Sequence, residues 1–424
     1  MTTRNLLKFL LEISKLKKRR RTGWVLRGVK DPETIAEHSF GTAFLAWTLG
    51  RKTNLNVQKM IEMAIIHDIC EVNSGDLTPY YGIIPKDKKK RKEMLMRWVR
   101  LSRKEKADFA KKKLSLERKA LRKLVKPLDS RAQASVISLW NEFEEGKSAE
   151  GRFVKQIDKI DAMMQAISYF GLGPNTPVVG WWEEIEELVD HPVLKKFIKS
   201  VENKLYYKKK TAFDNEIAFI QQIISLKGKS LFSWGKGDKH VSDSVANHCF
   251  MFVFMVWMFQ KTHPRTFNME KVLKMALSSY IWYANDSIVL GTQAERLKST
   301  ELEREIKKRG REWIRASLKE KRKLFEESRK REKKDIKKLA SKIEPGLRKE
   351  IISLWEERTL NQTQEAQYVN QVYILELLMR SLQQWKQNKE LPVSRWWEWA
   401  FEFSDNEFNI EFMNELKSQF DAEL

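Results

Sequence analysis

Cysteine is almost missing from this chain: Cys70 and Cys249 are the only two among 424 residues. That excludes a disulfide framework and fits a reducing compartment. Glycine (17) and proline (10) are also scarce. With Leu, Ile, Met, Lys and Glu abundant, this argues against turn-dense β architectures and favours an all-α protein. No apolar run approaches 20 residues and no signal peptide is recognised, so no membrane span is expected and a cytoplasmic protein is. The length leaves room for two domains, each large enough to bury a core.

Acidic charge is in deficit, but only locally. The chain carries 80 Lys and Arg against 57 Asp and Glu, a net charge of +23. Residues 86–126 hold 19 basic against 5 acidic side chains and residues 295–342 hold 20 against 10, so the rest of the chain is close to neutral. The basicity therefore belongs to two long charged helical arms. They read either as solvated arms laced with i,i+4 ion pairs or as a surface for RNA or another polyanion. Aromatic residues are sparse in both, which weighs against a base-stacking surface.

What the chain does have is concentrated in IEMAIIHDICEVNSGD, Ile61 to Asp76. Ile61, Ala64, Ile65 and Ile69 recur at three- and four-residue intervals, as on the buried face of a helix, so His67 and Asp68 sit beside a core. A carboxylate removed from water needs hydrogen bonds, a cation or a metal, and neutral imidazole is the commonest metal ligand. Glu71 follows one turn later, and Ser74-Gly75 breaks the pattern to deliver Asp76. Around this stretch the periodicity predicts helices near 6–16, 34–51, 132–145 and 149–170, the last carrying Asp158 and Asp161 at i,i+3. A loop is expected around 27–33.

The pattern then restarts. SVANHCFMFVFMVW (Ser244 to Trp257) parallels TIAEHSFGTAFLAW (Thr34 to Trp47), placing His248 over His38, and IISLW at Ile351 echoes VISLW at Val136, all at an offset of 210 to 215 residues. The expectation is a tandem duplication: residues 1–205 as one helical domain with the arm 86–126, residues 206–214 as linker, and residues 215–424 as a second copy with the arm 295–342. That copy has lost its polar residues. Ser279, Tyr280, Tyr283, Ile288 and Tyr373 stand where His67, Asp68, Glu71, Asp76 and Asp158 are expected, so the second half should hold no catalytic metal.

The first half, roughly 21–203, resembles the HD-domain phosphohydrolases, and among them the HD-domain 5'-deoxynucleotidases. The matching blocks are RTGWVLRGV from Arg21, the PETIAEHS segment around His38, IIHDICEVNSGDLTP from Ile65, IPKDKKKRKE from Ile84, RFVKQIDKIDAMMQAISYF from Arg152 and DHPVLKKFI from Asp190. The resemblance implies an all-α HD-type bundle in which His38, His67, Asp68 and Asp158 ligate one divalent ion: Co, Mn, Mg, Zn or Fe. It implies catalytic roles for Glu71 in proton transfer and Asp76 in positioning water or sugar, or else a second ion held by these two. Arg21, Trp24, Asp76 and Lys86 match substrate-contacting positions. The implied reaction removes the 5'-phosphate from a nucleoside monophosphate, expected to be a deoxynucleotide.

The simple members of that family are single-domain dimers, so the degenerate half is expected to occupy the other subunit's place in a monomeric pseudo-dimer with one live site. The competing reading is a nucleic-acid- or partner-binding scaffold whose HD site is vestigial or regulatory. Retention of the polar set in one copy and its erasure in the other favours the enzyme.

Overall fold

Every regular element among the described residues of a computed structural model of the chain is a helix, apart from two isolated β-bridges. The structure describes all residues except 81–82, 84, 86, 97–100, 172–178, 231–242, 286–303, 305–306, 309–317, 342, 388–396, 398–399, 403, 405 and 422–424. Lys86 and Ile288 lie outside the described residues.

The first half runs α1 (Thr3–Ser14), α2 (Thr22–Leu26), α3 (Ile35–Gly50), α4 (Val57–Ile66), α5 (Glu71–Ser74), α6 (Lys88–Met96), α7 (Arg103–Val125), α8 (Ser130–Glu145), α9 (Ala149–Phe170), α10 (Val179–Leu188) and α11 (Pro192–Leu205). The second runs α12 (Asp214–Ser225), α13 (Val245–Thr262), α14 (Met269–Leu277), α15 (Leu318–Ala340), α16 (Pro345–Leu360), α17 (Gln364–Trp385) and α18 (Glu407–Asp421). Helix starts are set by side chains. Thr34 and Glu37 form a capping box at α3, and Asn56 and Ser148 cap α4 and α9. At the corresponding places of the second half, Ser244, Asn268 and Thr363 cap α13, α14 and α17.

The centre is α3 packed on α13. All 16 residues of α3 are buried, its apolar residues falling on every side of the helix and most of its few polar ones meeting partners inside. Two aromatic pairs flank the contact, Phe9 on Phe254 at 6.0 Å and Phe44 on Phe219 at 5.6 Å between centroids. No helix among the described residues is long and apolar enough to cross a membrane.

Three local features depart from the periodicity. The short helix α2 precedes the expected loop. Among the described residues, the charged stretch after Pro85 holds two helices, and Ser102 caps α7 afresh with Glu105 in a second capping box. The HD helix ends at Ile66 rather than running on to Ser74. There His67 Nδ1 donates to Ala64 O at 2.7 Å and Trp140 Nε1 donates to His67 O at 3.0 Å, drawing backbone acceptors out of the helical ladder. The chain continues in tight turns, with Ile69 N on Ile66 O and Glu71 N on Asp68 O.

Candidate functional site

Three helices converge where α4 ends. His38 lies in the second turn of α3, His67 caps α4, Asp68 follows in the turn, and Asp158 comes from α9. One ligand atom each from His38, His67 and Asp158 lie within 4.8 Å of one another. His38 Nε2 is 2.8 Å from Asp158 Oδ1 and 3.9 Å from Asp68 Oδ2, and His67 Nε2 is 3.1 Å from Asp68 Oδ2. His38, His67 and Asp158 therefore converge, although 120 positions separate His38 from Asp158, and Asp68 lies against the two imidazoles.

The donor set fits a divalent ion. His67 spends Nδ1–H on Ala64 O, which fixes the tautomer and leaves the lone pair on Nε2. That Nε2 is buried and makes no hydrogen bond, its lone pair facing Asp68 Oδ2 at 3.1 Å, an arrangement of two electron-rich atoms that a cation would relieve. A buried polar atom left alone is costly unless something else takes it up, and two imidazoles with two carboxylates form a mixed N/O set suited to a first-row divalent metal or Mg.

His38 is gripped on both sides. Its Nδ1 is 2.8 Å from Asp161 Oδ2, opposite the Asp158 contact. Burial disfavours a charge on this ring, and Arg21 opposes it too, yet the carboxylates of Asp158 and Asp161 raise its pKa to about 9. Burial would push Asp68 up, but His67, Arg21 and His38 hold it below the usual carboxylate range. Asp158 is held down likewise, by Lys159 and His38.

A second acidic group adjoins the first. Glu33, His38 and Asp161 also cluster, but their charge is already met: Lys227 Nζ donates to Glu33 Oε2 at 2.7 Å and to Asp161 Oδ2 at 2.8 Å. Asp161, Glu33 and Lys227 were not identified from sequence. Asp161 was visible only as the i+3 neighbour of Asp158, and its partner Lys227 lies 66 residues on.

The remaining candidate residues, Lys86 aside, line the same region. Glu71 is buried, with Oε2 unpartnered, and burial together with Asp68 and Asp76 pushes its carboxyl well above the normal range. The first basic arm closes over it. There α7 packs on α5, and Lys113 Nζ lies 3.6 Å from Glu71 Oε1 and 3.3 Å from Glu117 Oε1. Asp76 Oδ2 accepts from Thr22 N at 2.5 Å, tying the Arg21 segment to the HD turn. Arg21 Nη1 is 3.7 Å from Asp68 Oδ2; burial works against its charge, while Asp76, Asp68 and Glu33 sustain it. Trp24 is 3% exposed, stacked on Trp181 at 5.1 Å, with its indole N–H on Glu33 Oε1 at 2.8 Å.

In the second half, the positions aligned with the candidate carboxylate ligands Asp68 and Asp158 hold Tyr280 and Tyr373, whose hydroxyls bond each other. His248 Nδ1 sits 2.6 Å from Glu376 Oε2, as His38 does on Asp161.

Residues 13–180 match the family model described as HD domain. The human protein named 5'-deoxynucleotidase HDDC2 is 31% identical over 166 residues, covering 39% of this chain and 69% of that protein. The Xenopus laevis protein of the same name is 31% identical, with 70% of its length covered. The fission yeast 5'-deoxynucleotidase hdd1 is 27% identical over 194 residues, covering 46% of this chain and 86% of its own.

Proposed function

The chain belongs to the HD-domain 5'-deoxynucleotidase family and is a phosphohydrolase, and on that premise we propose that it hydrolyses nucleoside 5'-monophosphates, deoxynucleotides foremost, at a site within residues 1–205. The observation that carries this reading is the buried, unpartnered Nε2 of His67 beside His38, Asp68 and Asp158. These four would hold the ion. When bound, a divalent metal supplies Lewis acidity, lowering the pKa of water and neutralising charge on the phosphoryl oxygens.

The side chains supply the rest. Glu71, buried and favouring its protonated form, is placed to carry the proton that the leaving 5'-oxygen needs. Asp76, fixed through Thr22, positions the attacking water or the sugar. Arg21 meets the anionic phosphate with a sustained positive charge. Lys113 brings the first arm to the edge of the site, which favours a role for this stretch in covering the site over one in binding RNA.

Residues 215–424 act, in this reading, as a degenerate copy standing in for a second subunit. Reciprocal contacts support it. Phe9 on Phe254 is matched, at an offset of 210, by Phe44 on Phe219, and the ion pair Lys17 to Asp243 by Lys227 to Glu33; within each half, the bridge Arg20 to Thr34 recurs as Ser230 to Ser244.

Phosphate release from a panel of ribo- and deoxynucleotides with Co, Mn or Mg, repeated on Asp68→Ala, tests the reading. Release that is lost in the variant is expected. No release from any nucleotide, together with no bound metal by elemental analysis, points instead to a binding scaffold.

A further inference from the structure

We propose that Lys227, contributed by the second half of the chain, is a positioning residue for the ion site of the first: it clamps Asp161, which in turn orients His38. The inference rests on the phosphohydrolase reading of the His38, His67, Asp68 and Asp158 site.

The construction is visible atom by atom. Lys227 sits in a one-turn 3₁₀ segment, Leu226–Gly228, just after α12. Its side chain is 2% exposed and crosses into the first half. Nζ donates to both oxygens of Asp161, at 2.8 and 3.1 Å, and to Glu33 Oε2 at 2.7 Å, so all three of its protons have acceptors. Held at both oxygens, the Asp161 carboxylate cannot swing, and Oδ2 stays 2.8 Å from His38 Nδ1. A ligand histidine whose far nitrogen is anchored on a carboxylate keeps one tautomer and one ring orientation, with Nε2 presented to the ion.

The same lysine ties down the substrate side. Glu33 accepts from Trp24 Nε1, its carbonyl accepts from Arg21 N, and its own N–H donates to the Tyr169 hydroxyl. Lys227 thus joins the segment that carries Arg21 to the helix that carries Asp158.

Space has been left for this pair. A Cβ on Gly41 would sit 2.2 Å from Asp161 Oδ1 and 2.9 Å from Lys227 Cε and Nζ. Met251 occupies the matching position in the second half. The mirror lysine there, Lys17, reaches Asp243 at 2.6 Å, at the position matching Glu33, and Arg380 lies 3.7 Å from the same Asp243 oxygen. Both halves thus donate a buried lysine across the interface, but only Lys227 reaches a residue that holds a candidate ion ligand. That asymmetry gives a reason for a half without ligands of its own to be kept: the live site is incomplete without it.

The test uses the full chain. Lys227→Met and Lys17→Met are compared with wild type for Co(II) affinity, followed by the visible absorption of bound cobalt, and for kcat and KM of phosphate release from dAMP. Lys227→Met is expected to weaken cobalt binding by about 10- to 100-fold. At limiting cobalt it should lower kcat, and any rise in KM should recur when Glu33 is the only partner removed from Lys227, as in Glu33→Gln. Lys17→Met removes the mirror ion pair on the other side of the interface, whose side chains are 8% and 12% exposed, and should keep the wild-type cobalt affinity. If Lys227→Met does not fold, Lys227→Met with Glu33→Gln removes one of the two stranded carboxylates and should show the same loss of cobalt affinity. Unchanged cobalt affinity in a folded Lys227 variant, or an equal loss in Lys17→Met, overturns the inference. A wild-type chain that binds cobalt and hydrolyses dAMP while the Lys227 variant matches it sinks this inference alone. A wild-type chain that does neither sinks the phosphohydrolase reading as well.

Discussion

Replacing Gly41 with alanine adds one methyl group at the most crowded point of the site. The new Cβ would stand 2.2 Å from Asp161 Oδ1, where ordinary packing keeps such atoms roughly 3.5 Å apart. Something must retreat by about an ångström, and neither neighbour is free to do so. Asp161 is held by His38 and Lys227, and Lys227 by Glu33. Overpacking of this kind costs about 1–3 kcal/mol, and loosening a charge-assisted hydrogen bond adds up to about 1.5–3 kcal/mol. Alanine's better helix propensity returns about 1 kcal/mol. The net expectation is a loss of about 1.5–5 kcal/mol, read as a shift of the urea midpoint followed by circular dichroism. Cobalt affinity of the folded variant should also fall by at least about tenfold, since Asp161 is displaced from His38. A variant as stable as wild type, or more stable by the increment that helix propensity alone supplies, with cobalt affinity intact, would refute the packing argument.

Glu71→Gln should lower kcat by about 10²- to 10⁴-fold with metal content unchanged; loss of metal in that variant would show Glu71 to be a ligand, not a proton carrier. Phe44→Ala and Phe219→Ala should each destabilise by about 3–5 kcal/mol, and a double-mutant cycle should return a coupling of about 0.5–1.5 kcal/mol. Strict additivity would count against their contact. Tyr280→Phe strands the Tyr373 hydroxyl and should cost about 1–3 kcal/mol while leaving phosphate release unaltered; impaired catalysis would place the second half in the chemistry. If the basic arms bind RNA, affinity should drop steeply between low and physiological salt, and a flat salt response would exclude phosphate contacts by many lysines.

Much of this was legible in the sequence because it is written locally. The all-α class follows from scarce glycine and proline. The helix over 149–170 is observed as Ala149–Phe170, bounded by the Ser148 cap and Gly171 at positive φ. His67, Asp68 and Glu71 stood out as polar residues in an apolar run, and the resemblance assigned them partners. The end of the HD helix at Ile66 was not legible, because it depends on Trp140, 73 positions away, bonding the His67 carbonyl. The Asp161, Lys227 and Glu33 cluster escaped for the same reason, since each member alone reads as an ordinary charged residue. One signal could have found it. Lys17 and Lys227, like Glu33 and Asp243, fall at the repeat offset of 210, and charged pairs kept in register across two halves suggest a crossed ion pair.

Metal content per chain tests the central claim most directly. Elemental analysis after cobalt loading and gel filtration should find a single equivalent on the wild-type chain and essentially none on His67→Ala or Asp158→Ala, with phosphate release from dAMP lost in step. Full retention of the ion by Asp158→Ala, or a wild-type chain that holds none, would contradict it.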